Sequence, residues 1–326
     1  MHIITVDGGK TKTVCAIFDS EGNVLSYATG RAIGSSLLDQ QTIETNLRSV
    51  VFDALTRSSL SAEDIGVASF SVCDIDTKEL ISNMEGIILK LGLKGKVLLV
   101  PDFVAAYYVA THGKPGVGVI AGTGSMAYGE NGSGGKARAG GWGWLINDEG
   151  SGFWIGAKAL NAVARAYDGM NEETSLSETI CKELQLNDCS DLINLTYKDG
   201  SAGPLLASRI APLVDLAAQE GDSQAIRILR QAAHELSFMA LTVSRRLGLA
   251  KEEHVVGCVG SVFKSNIVLE NFKEIMKREE KGVEIRGPYI DYAPLMGPAI
   301  IAFKELGTES SEMLFETINR NLEKIS

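Results

Sequence analysis

The chain has 326 residues, of which 45% are apolar and 22% charged, and its formal net charge is −10. This length allows two domains that each bury a core of their own. The negative charge argues against nucleic acid or an anionic membrane surface as the main partner, because both attract concentrated positive charge. A small anionic ligand remains compatible with it, since backbone N–H groups can bind one without basic side chains.

Hydropathy and cysteine usage narrow the class further. No run of about 18 apolar residues is present, so no membrane-spanning helix is predicted, and the start MHIITVDGG lacks the longer apolar core of a secretory signal. Four scattered histidines lack an H-x-x-x-H arrangement, which argues against a histidine-built metal site. The five cysteines show no C-x-x-C spacing, and reduced thiols in the cytoplasm are the simplest interpretation. They are Cys15, Cys73, Cys181, Cys189 and Cys258.

The first third of the chain predicts the order βββ-α-β-α-β-α. Apolar, β-rich runs at 2–6, 13–19 and 24–29 predict a three-strand meander. Apolar residues at helical spacing then predict a helix over 42–57. The buried strand IGVASFSV follows, then a helix near 77–92, and the strand KVLLVPD ends at Asp102.

A second copy of this pattern begins at residue 117. The segment VGVIAGTGSMAYG again reads as a strand, a glycine-threonine turn and a strand, and the glycine-rich run after it predicts a third. Helical patterns dominate from about Phe153 to Ala250, strands return in HVVGCVG and GVEIRG, and helical segments follow Pro298. We therefore predict an N-terminal α/β domain over 1–113 and a related C-terminal domain over 114–326 with a helical insertion at about 153–250. The linker THGKPG marks the boundary.

The stretch VDGGKTKT, residues 6–13, follows the first strand. It is not a P-loop, because the glycine required five positions before Gly9 is Ile4. Gly8 and Gly9 allow close backbone approach, and Thr11 and Thr13 offer hydroxyls, so the turn can wrap phosphate oxygens. An ordinary hairpin turn explains the stretch equally well when it is considered alone.

The turn AGTGSMA, residues 121–127, imitates the dinucleotide fingerprint through Gly122, Gly124 and Ala127. The following YGENG cannot open a helix, so a pyrophosphate would lack the helix N-terminus that this motif requires. Two glycine-threonine hairpins on two similar halves fit better as a pair of phosphate clamps that face each other across a cleft.

Three further segments carry candidate chemistry. Asp102 ends a strand, where ligands of α/β sheets bind, and could accept a proton from a substrate hydroxyl. Its position alone favours the N-cap of the next helix instead. The run GGWGWLINDEGSG, residues 140–152, joins Trp142 and Trp144 to fixed acceptors, which suits a sugar ring, with core packing as the alternative. The strand, glycine pair and helix of VVGCVGSVFKS, residues 255–265, suit a flat base or ribose against backbone.

Together and in this order, these segments resemble the N-acetylglucosamine kinase and BadF/BadG/BcrA/BcrD ATPase family of the actin, Hsp70 and sugar-kinase superfamily. The resemblance rests on DGGKTKT, VPDFVAA, AGTGS, GGWGWLINDEGSGFWIG and CVGSVFKS. It implies an α/β fold with two ribonuclease H-like, actin-like ATPase domains of βββαβαβα pattern. It also implies ATP and Mg²⁺ as cofactors, a small-molecule sugar as substrate, neither nucleic acid nor a membrane as partner, and a cytoplasmic homodimer.

The resemblance also implies roles for individual residues. Asp102 would be the general base on the sugar hydroxyl, and Asp7 would hold Mg²⁺ through water. The residues implied in ATP binding are Gly8, Gly9, Lys10, Thr11, Lys12, Thr13, Gly122, Thr123, Gly124, Gly257, Gly260, Ser261 and Lys264. Those implied in substrate binding are Ser36, Asp102, Thr123, Ser125, Met126, Gly141, Trp142, Gly143 and Asp148.

Three departures from the family pattern bear on function. Lys10 stands where the family has a third glycine, Ser36 stands where a sugar-contacting Asn is expected, and the glycine expected after the fourth strand is missing from SVCDID. We therefore expect an ATP-dependent kinase of N-acetylglucosamine or glucosamine, with 2-keto-3-deoxygluconate or another hexose as the rival substrate that Ser36 leaves open.

Two alternatives come from other classes of protein. One is an ATPase activator of a 2-hydroxyacyl-CoA dehydratase, whose relatives hold an iron–sulfur cluster by cysteines; Cys181 and Cys189 are the only close pair here. The other is a non-catalytic sugar-binding regulator, against which the intact Asp7 and Asp102 argue.

Overall fold

The computed structural model describes residues 1–34, 38–75, 77–194, 203–290, 293–308 and 312–324. Contacts between Cα atoms divide the chain into two compact units. Unit 1 comprises Met1–Lys114 and Tyr292–Ser326, and unit 2 comprises Pro115–Asp291.

Unit 1 is built on a mixed five-stranded sheet of order β3-β2-β1-β4-β5. The first three strands form the predicted antiparallel meander, and β4 and β5 continue the sheet parallel to β1. The carboxyl ends of β1, β4 and β5 therefore meet at one edge. The strands are β1 His2–Gly8, β2 Lys12–Phe18, β3 Val24–Arg31, β4 Ile65–Val72 and β5 Lys96–Pro101.

Helices α1 Gln40–Arg57, α2 Lys78–Leu89 and α3 Asp102–Thr111 follow the strands of this sheet. Helix α1 begins where the Asp39 carboxylate accepts the Thr42 N–H at 2.8 Å, an N-cap that satisfies one of the first free donors. Its apolar face packs on the sheet as the sequence spacing predicts. The buried residues of that face are Leu47, Val50, Val51, Ala54 and Leu55.

Unit 2 repeats the same strand order in its own sheet, β10-β9-β6-β7-β8. Strands β6, β7 and β8 form an antiparallel meander, and β9 and β10 extend it parallel to β6. This repetition confirms the duplicated α/β architecture that the two glycine-bearing turns predict. The strands are β6 Gly116–Ala121, β7 Ser125–Glu130, β8 Lys136–Gly140, β9 His254–Val259 and β10 Val283–Tyr289.

A helical insertion lies between β8 and β9, as expected. Its helices α4 and α6 touch closely at Gly156, where a Cβ would lie 1.7 Å from the carbonyl oxygen of Ala207. Among the described residues, no helix is both long and apolar enough to cross a membrane. The inserted helices are α4 Gly152–Tyr167, α5 Leu176–Glu183, α6 Gly203–Gln219 and α7 Ser223–Leu247, and α8 Asn266–Glu279 follows β9.

The C-terminal segment packs in unit 1, which differs from the predicted domain of residues 114–326. Helix α9, Met296–Glu305, is apolar on nearly all sides and packs against α3. A Cβ at Gly297 would lie 2.5 Å from the carbonyl oxygen of Ala105, and Phe303 contacts Phe18 edge-on at 6.2 Å. This burial holds the segment in the first unit, and helix α10, Glu312–Glu323, follows it.

The cysteines depart from expectation at one pair. Cys181 and Cys189 form a disulfide with their Cα atoms 5.9 Å apart, so the expectation of reduced thiols is wrong for these two. Cys15, Cys73 and Cys258 are free and buried.

Candidate active site

Two predicted site residues meet at the edge of unit 1 where the parallel strands end. Asp7 lies beside Ser71 in the β1–β4 register, and Val72 lies beside Pro101 in the β4–β5 register, so Asp7 and Asp102 share this edge. Asp102 is the first residue of α3 and is exposed; its carboxylate accepts the adjacent Phe103 N–H at 2.8 Å. Pro101 occupies the N-cap position, so the alternative role of Asp102 as the N-cap is not found.

Asp7 has the electrostatics of a cation ligand. Burial raises its pKa to about 7; the nearby Ser71 hydroxyl lowers it, the Asp102 carboxylate raises it and Lys12 lowers it. A bound divalent cation would favour the ionised carboxylate and relieve this strain. In the described part of the chain, no three or more His, Cys, Asp or Glu side chains group into a metal cage. The Asp7 carboxylate fits Mg²⁺, which proteins bind through one or two carboxylates while the ion keeps several water ligands.

The β1–β2 turn is a tight hairpin in which Gly9 N–H donates to the Lys12 carbonyl at 3.0 Å. The side chains of Lys10, Thr11 and Lys12 are exposed and stay candidates for phosphate contacts. Thr13 does not fit its predicted role, because its side chain is fully buried and its hydroxyl donates to the Arg31 carbonyl at 2.7 Å. Its position within β2 turns that hydroxyl into the sheet.

The segment after β3 is clamped against this turn. Gly34 N–H donates to the Gly9 carbonyl at 3.2 Å, and the Cys73 thiol donates to the Gly34 carbonyl at 2.8 Å. A Cβ at Gly34 would lie 2.3 Å from the Gly8 carbonyl oxygen, so only glycine fits there. Burial, with the charges of nearby carboxylates, raises the pKa of Cys73 to about 12, which keeps it a donor thiol. Ser36 lies two residues beyond Gly34, outside the described residues.

An ion pair joins the turn to the end of β4. Lys10 Nζ lies 2.9 Å from Asp74 Oδ1. Asp74 has φ +59°, a left-handed conformation that glycine adopts at low cost. The backbone after β4 thus keeps a glycine-like turn although the expected glycine is absent from the sequence.

The corresponding turn of unit 2 is held by the start of α4. Gly122 N–H donates to the Gly124 carbonyl at 2.9 Å, while the Gly152 and Phe153 N–H groups donate to the Gly122 and Thr123 carbonyls at 2.8 and 3.2 Å. The first N–H groups of α4 therefore bind the turn itself. This agrees with the rejection of a dinucleotide fingerprint at this turn.

A cavity of about 440 Å³ in unit 2 joins two predicted nucleotide motifs. The chain leaves β9 at Gly260, with φ +107°, and a Cβ there would lie 2.4 Å from the Ala121 carbonyl oxygen. This close approach places Ser261 and Lys264 on the same cavity as Gly122 and Thr123.

One wall of this cavity comes from α6 and α7, which the sequence patterns did not associate with nucleotide binding. The available signal was Pro212 inside a predicted helix, where a proline removes a helical hydrogen bond and is tolerated for a local reason. The wall residues are Ser208, Ala211, Pro212, Asp215, Leu216 and Leu229.

Gly257 does not line this cavity. It lies within β9, paired with Gly118 of β6 and Arg286 of β10, and is buried in the sheet. Gly257 lies three positions before the turn at Gly260, so its role in ATP binding stays a prediction.

The predicted sugar segment is an exposed loop in unit 2. Trp142 and Trp144 are 62% and 48% exposed, so core packing does not explain them. Gly140, Gly141 and Gly143 all have positive φ, which bends the chain around Trp142. The Arg138 guanidinium lies 5.2 Å from the Trp142 ring, and Trp144 contacts Phe153 edge-on at 5.7 Å. Each indole keeps apolar surface that a ring could stack on.

Asp148 ties this loop to the turn at Gly122–Gly124. It is buried, has φ +72°, and lies so close to Gly124 that a Cβ there would be 3.0 Å from Asp148 Oδ2. Burial raises its pKa, the Ser125 backbone N–H lowers it and Glu149 raises it. The Ser125 hydroxyl donates to the Glu149 carbonyl at 2.7 Å, and Met126 packs 3.3 Å from the Cβ position of Gly141. The structure thus brings Asp148, Ser125, Met126 and Gly141 together.

Two duplicated units of this kind define the α/β fold class of the protein. The crystal structure of a putative N-acetylglucosamine kinase from Chromobacterium violaceum shares the fold, with a TM-score of 0.68, 22% identity, and 93% of this chain and 98% of that chain covered. The model of the BadF/BadG/BcrA/BcrD ATPase family matches residues 4–302, and the chain belongs to this family.

Two relatives are similar over almost their whole length. An N-acetylmuramic acid/N-acetylglucosamine kinase of Clostridium acetobutylicum is 31% identical over 93% of this chain and 99% of its own. An N-acetyl-D-glucosamine kinase of Dictyostelium discoideum is 30% identical over 92% of this chain and 97% of its own.

Proposed function

We propose that this protein is an ATP-dependent kinase that transfers the γ-phosphoryl group to a hydroxyl of an amino sugar of the N-acetylglucosamine or glucosamine type. The observation that carries the proposal is the pair Asp7 and Asp102 at one edge of three parallel strands, beside the β1–β2 turn. The named activities of the relatives support an amino sugar as the acceptor.

Unit 1 would supply the chemistry. Asp102, held by the Phe103 N–H at 2.8 Å, would accept the proton of the attacking hydroxyl. Asp7 would hold Mg²⁺, which would neutralise phosphate charge when bound. The Lys10 and Thr11 N–H groups of the β1–β2 turn and the exposed Lys10 and Lys12 side chains would bind phosphate oxygens.

Unit 2 would hold the two substrates in place. The 440 Å³ cavity has apolar walls at Ile155, Ala211 and Leu229 that suit a flat base. Ser208 and Asp215 are polar groups that would bind the nitrogens of the base or the hydroxyls of the ribose. The exposed faces of Trp142 and Trp144 would stack on the sugar. Alignment and charge neutralisation are the main demands of phosphoryl transfer, and both groups of residues serve them.

The test is ADP release from ATP and Mg²⁺ with a panel of acceptors: N-acetylglucosamine, glucosamine, N-acetylmuramic acid, glucose and 2-keto-3-deoxygluconate. We expect an amino sugar to stimulate ATP turnover most strongly. If 2-keto-3-deoxygluconate stimulates turnover most strongly, the proposed kinase activity stands but the proposed amino-sugar substrate is wrong. Turnover that no sugar stimulates would overturn the proposal.

A matched pair of variants locates the sugar. Trp142→Ala should raise the KM for the sugar with little effect on the KM for ATP, because the proposed stacking is on the sugar alone. Phe238→Ala removes an aromatic side chain of similar exposure, 57%, from α7 and should change neither constant.

A further inference from the structure

The ion pair between Lys10 and Asp74 lies at the same edge of unit 1 as Asp7 and Asp102. Lys10 projects from the β1–β2 turn, and Asp74 is the second residue after β4. The nitrogen and oxygen are 2.9 Å apart, and the side chains are 65% and 33% exposed. Hydrogen bonding to Asp74 raises the pKa of Lys10, so the amine is protonated at neutral pH.

Stability does not explain this pair. Exposed ion pairs contribute little to folding, because water solvates the separated charges well. Asp74 has φ +59°, a left-handed conformation that aspartate and asparagine tolerate better than most side chains. A weak, exposed ion pair at the sheet edge that carries Asp7 and Asp102 points to a role in binding.

We propose that Asp74 is a counter-ion that neutralises the Lys10 ammonium beside the β1–β2 turn before the nucleotide binds, and that Lys10 transfers from Asp74 to the nucleotide's phosphate oxygens when the nucleotide binds. The inference rests on the proposed function. Lysine suits such an exchange because its ammonium is a compact charge on a flexible stem with three donors. A polyphosphate carries more negative charge than one carboxylate and competes for it successfully. Asp74 is one-third exposed, so water can solvate the carboxylate once Lys10 has left.

The exchange predicts opposite effects of the two partners. Asp74→Asn removes the charge but keeps the left-handed turn, which asparagine tolerates. In this variant Lys10 does not have to break an ion pair before it binds the phosphates, and no carboxylate at position 74 repels them. The Kd of the nucleotide should therefore fall about fivefold. Lys10→Met removes the attraction and leaves Asp74 uncompensated, so the Kd should rise about fivefold. A pair that only braced the turn would weaken binding in both variants.

The experiment is calorimetric titration of the full chain with adenylyl imidodiphosphate, ADP and adenosine, each with Mg²⁺, at low and high salt. The effects should be largest for the triphosphate analogue, smaller for ADP and absent for adenosine. They should also shrink at high salt, where exposed charges are screened.

The matched control is the exposed pair Lys90 and Glu44, also in unit 1 and 56% and 31% exposed. Glu44→Gln removes the same charge elsewhere and should leave all three Kd values unchanged. Asp74→Gly also removes the charge, and glycine adopts the left-handed conformation at lower cost. Its change in the Kd of the nucleotide should have the same sign as that of Asp74→Asn. This second variant decides the question if the asparagine variant unfolds.

Changes of the same sign for the Asp74 and Lys10 variants, or equal effects on adenosine, would overturn the inference while leaving the kinase intact. A wild-type protein that binds no triphosphate analogue would overturn the proposed function as well, so the two failures are distinguishable.

Discussion

The two units share one strand order but carry different chemistry at the turns that follow their first strands. In unit 1 the turn lies beside Asp7, Asp102 and the Lys10–Asp74 pair. In unit 2 the turn over Gly122–Gly124 is bound by the start of α4 and opens on a cavity walled by inserted helices. The duplicated scaffold fixes where each turn lies, and the residues around it make the surroundings of the two turns different: charged side chains in unit 1 and a cavity in unit 2.

The largest expected effect tests whether the chemistry belongs to unit 1. Asp102→Asn keeps the size of the side chain but removes its basicity, so kcat should fall by roughly 10²- to 10⁴-fold. The Kd of the triphosphate analogue should change little. Sugar-dependent ADP release and calorimetric titration measure the two quantities. A kcat within threefold of the wild-type value would show that Asp102 is not the general base.

Gly34, which packs against the β1–β2 turn of unit 1, should be necessary for the stability of that unit. Gly34→Ala places a methyl group 2.3 Å from the Gly8 carbonyl oxygen and 2.4 Å from Cys73 Sγ, so we expect a loss of about 1–3 kcal/mol in the free energy of unfolding. Urea denaturation provides the measurement. Gly86→Ala, inside α2 with nothing within 4 Å of its Cβ position, should stabilise by up to about 1 kcal/mol. Equal effects of both substitutions would contradict the clamped arrangement.

The cavity in unit 2 gives a third test. Ala211→Leu fills space on the α6 wall and should raise the Kd of adenosine nucleotides about tenfold, with the KM for the sugar unchanged. Ala164→Leu makes the same change on α4, where it lines a separate surface cavity with Leu160 and Tyr167, and should have no effect. If nucleotide binding is insensitive to the Ala211 substitution, the adenosine site lies elsewhere.

The smallest expected effect is on the stability of unit 2, where an ion pair is buried, in contrast to the exposed Lys10–Asp74 pair of unit 1. His254 Nε2 lies 3.0 Å from Glu280 Oε2, and its Nδ1 lies 2.9 Å from the Glu252 carbonyl. Burial lowers the pKa of His254, but hydrogen bonds and charge from Glu280 and Glu252 outweigh burial and raise it. This contribution to stability is therefore complete below the unfolded-state pKa of about 6.5 and is lost as pH rises through the folded-state pKa.

The check is urea unfolding between pH 6 and pH 9. Stability of the wild type should decline as the pH rises above about 6.5, and His254→Gln should remove that decline. Glu130→Gln is a control in the same unit, because Glu130 pairs with the exposed Lys136 at 3.4 Å. A wild-type profile that rises with pH would contradict the assignment.

Much of the fold follows from local sequence patterns. The alternation of apolar runs and glycine turns predicts both meanders, and the helical spacing of Leu47, Val50 and Ala54 predicts the buried face of α1. The C-terminal helix α9 was assigned to the wrong unit because an apolar pattern shows that a helix is buried but not which core buries it. Its partner in contact, Ala105, lies almost 200 residues earlier in the chain.

The candidate site was predictable where a motif and its neighbours are adjacent in sequence. Asp7, Asp102 and the Gly122 turn are placed by the ends of strands, which a pattern locates well. The direction of a side chain is harder to predict, as shown by the buried hydroxyl of Thr13. The α6 wall at Ala211 was missed because nothing local links a helix to a turn some 90 residues earlier.

The return of α9 to unit 1 also has a consequence for biosynthesis. Unit 2 is one continuous stretch, so it is complete on the ribosome before translation ends. Unit 1 lacks the residues that cover Phe18 and Ala105 until the last part of the chain emerges. Unit 1, which bears Asp7 and Asp102, is therefore the later unit to fold completely. A prematurely terminated polypeptide would keep the cavity of unit 2 but leave apolar surface of unit 1 exposed.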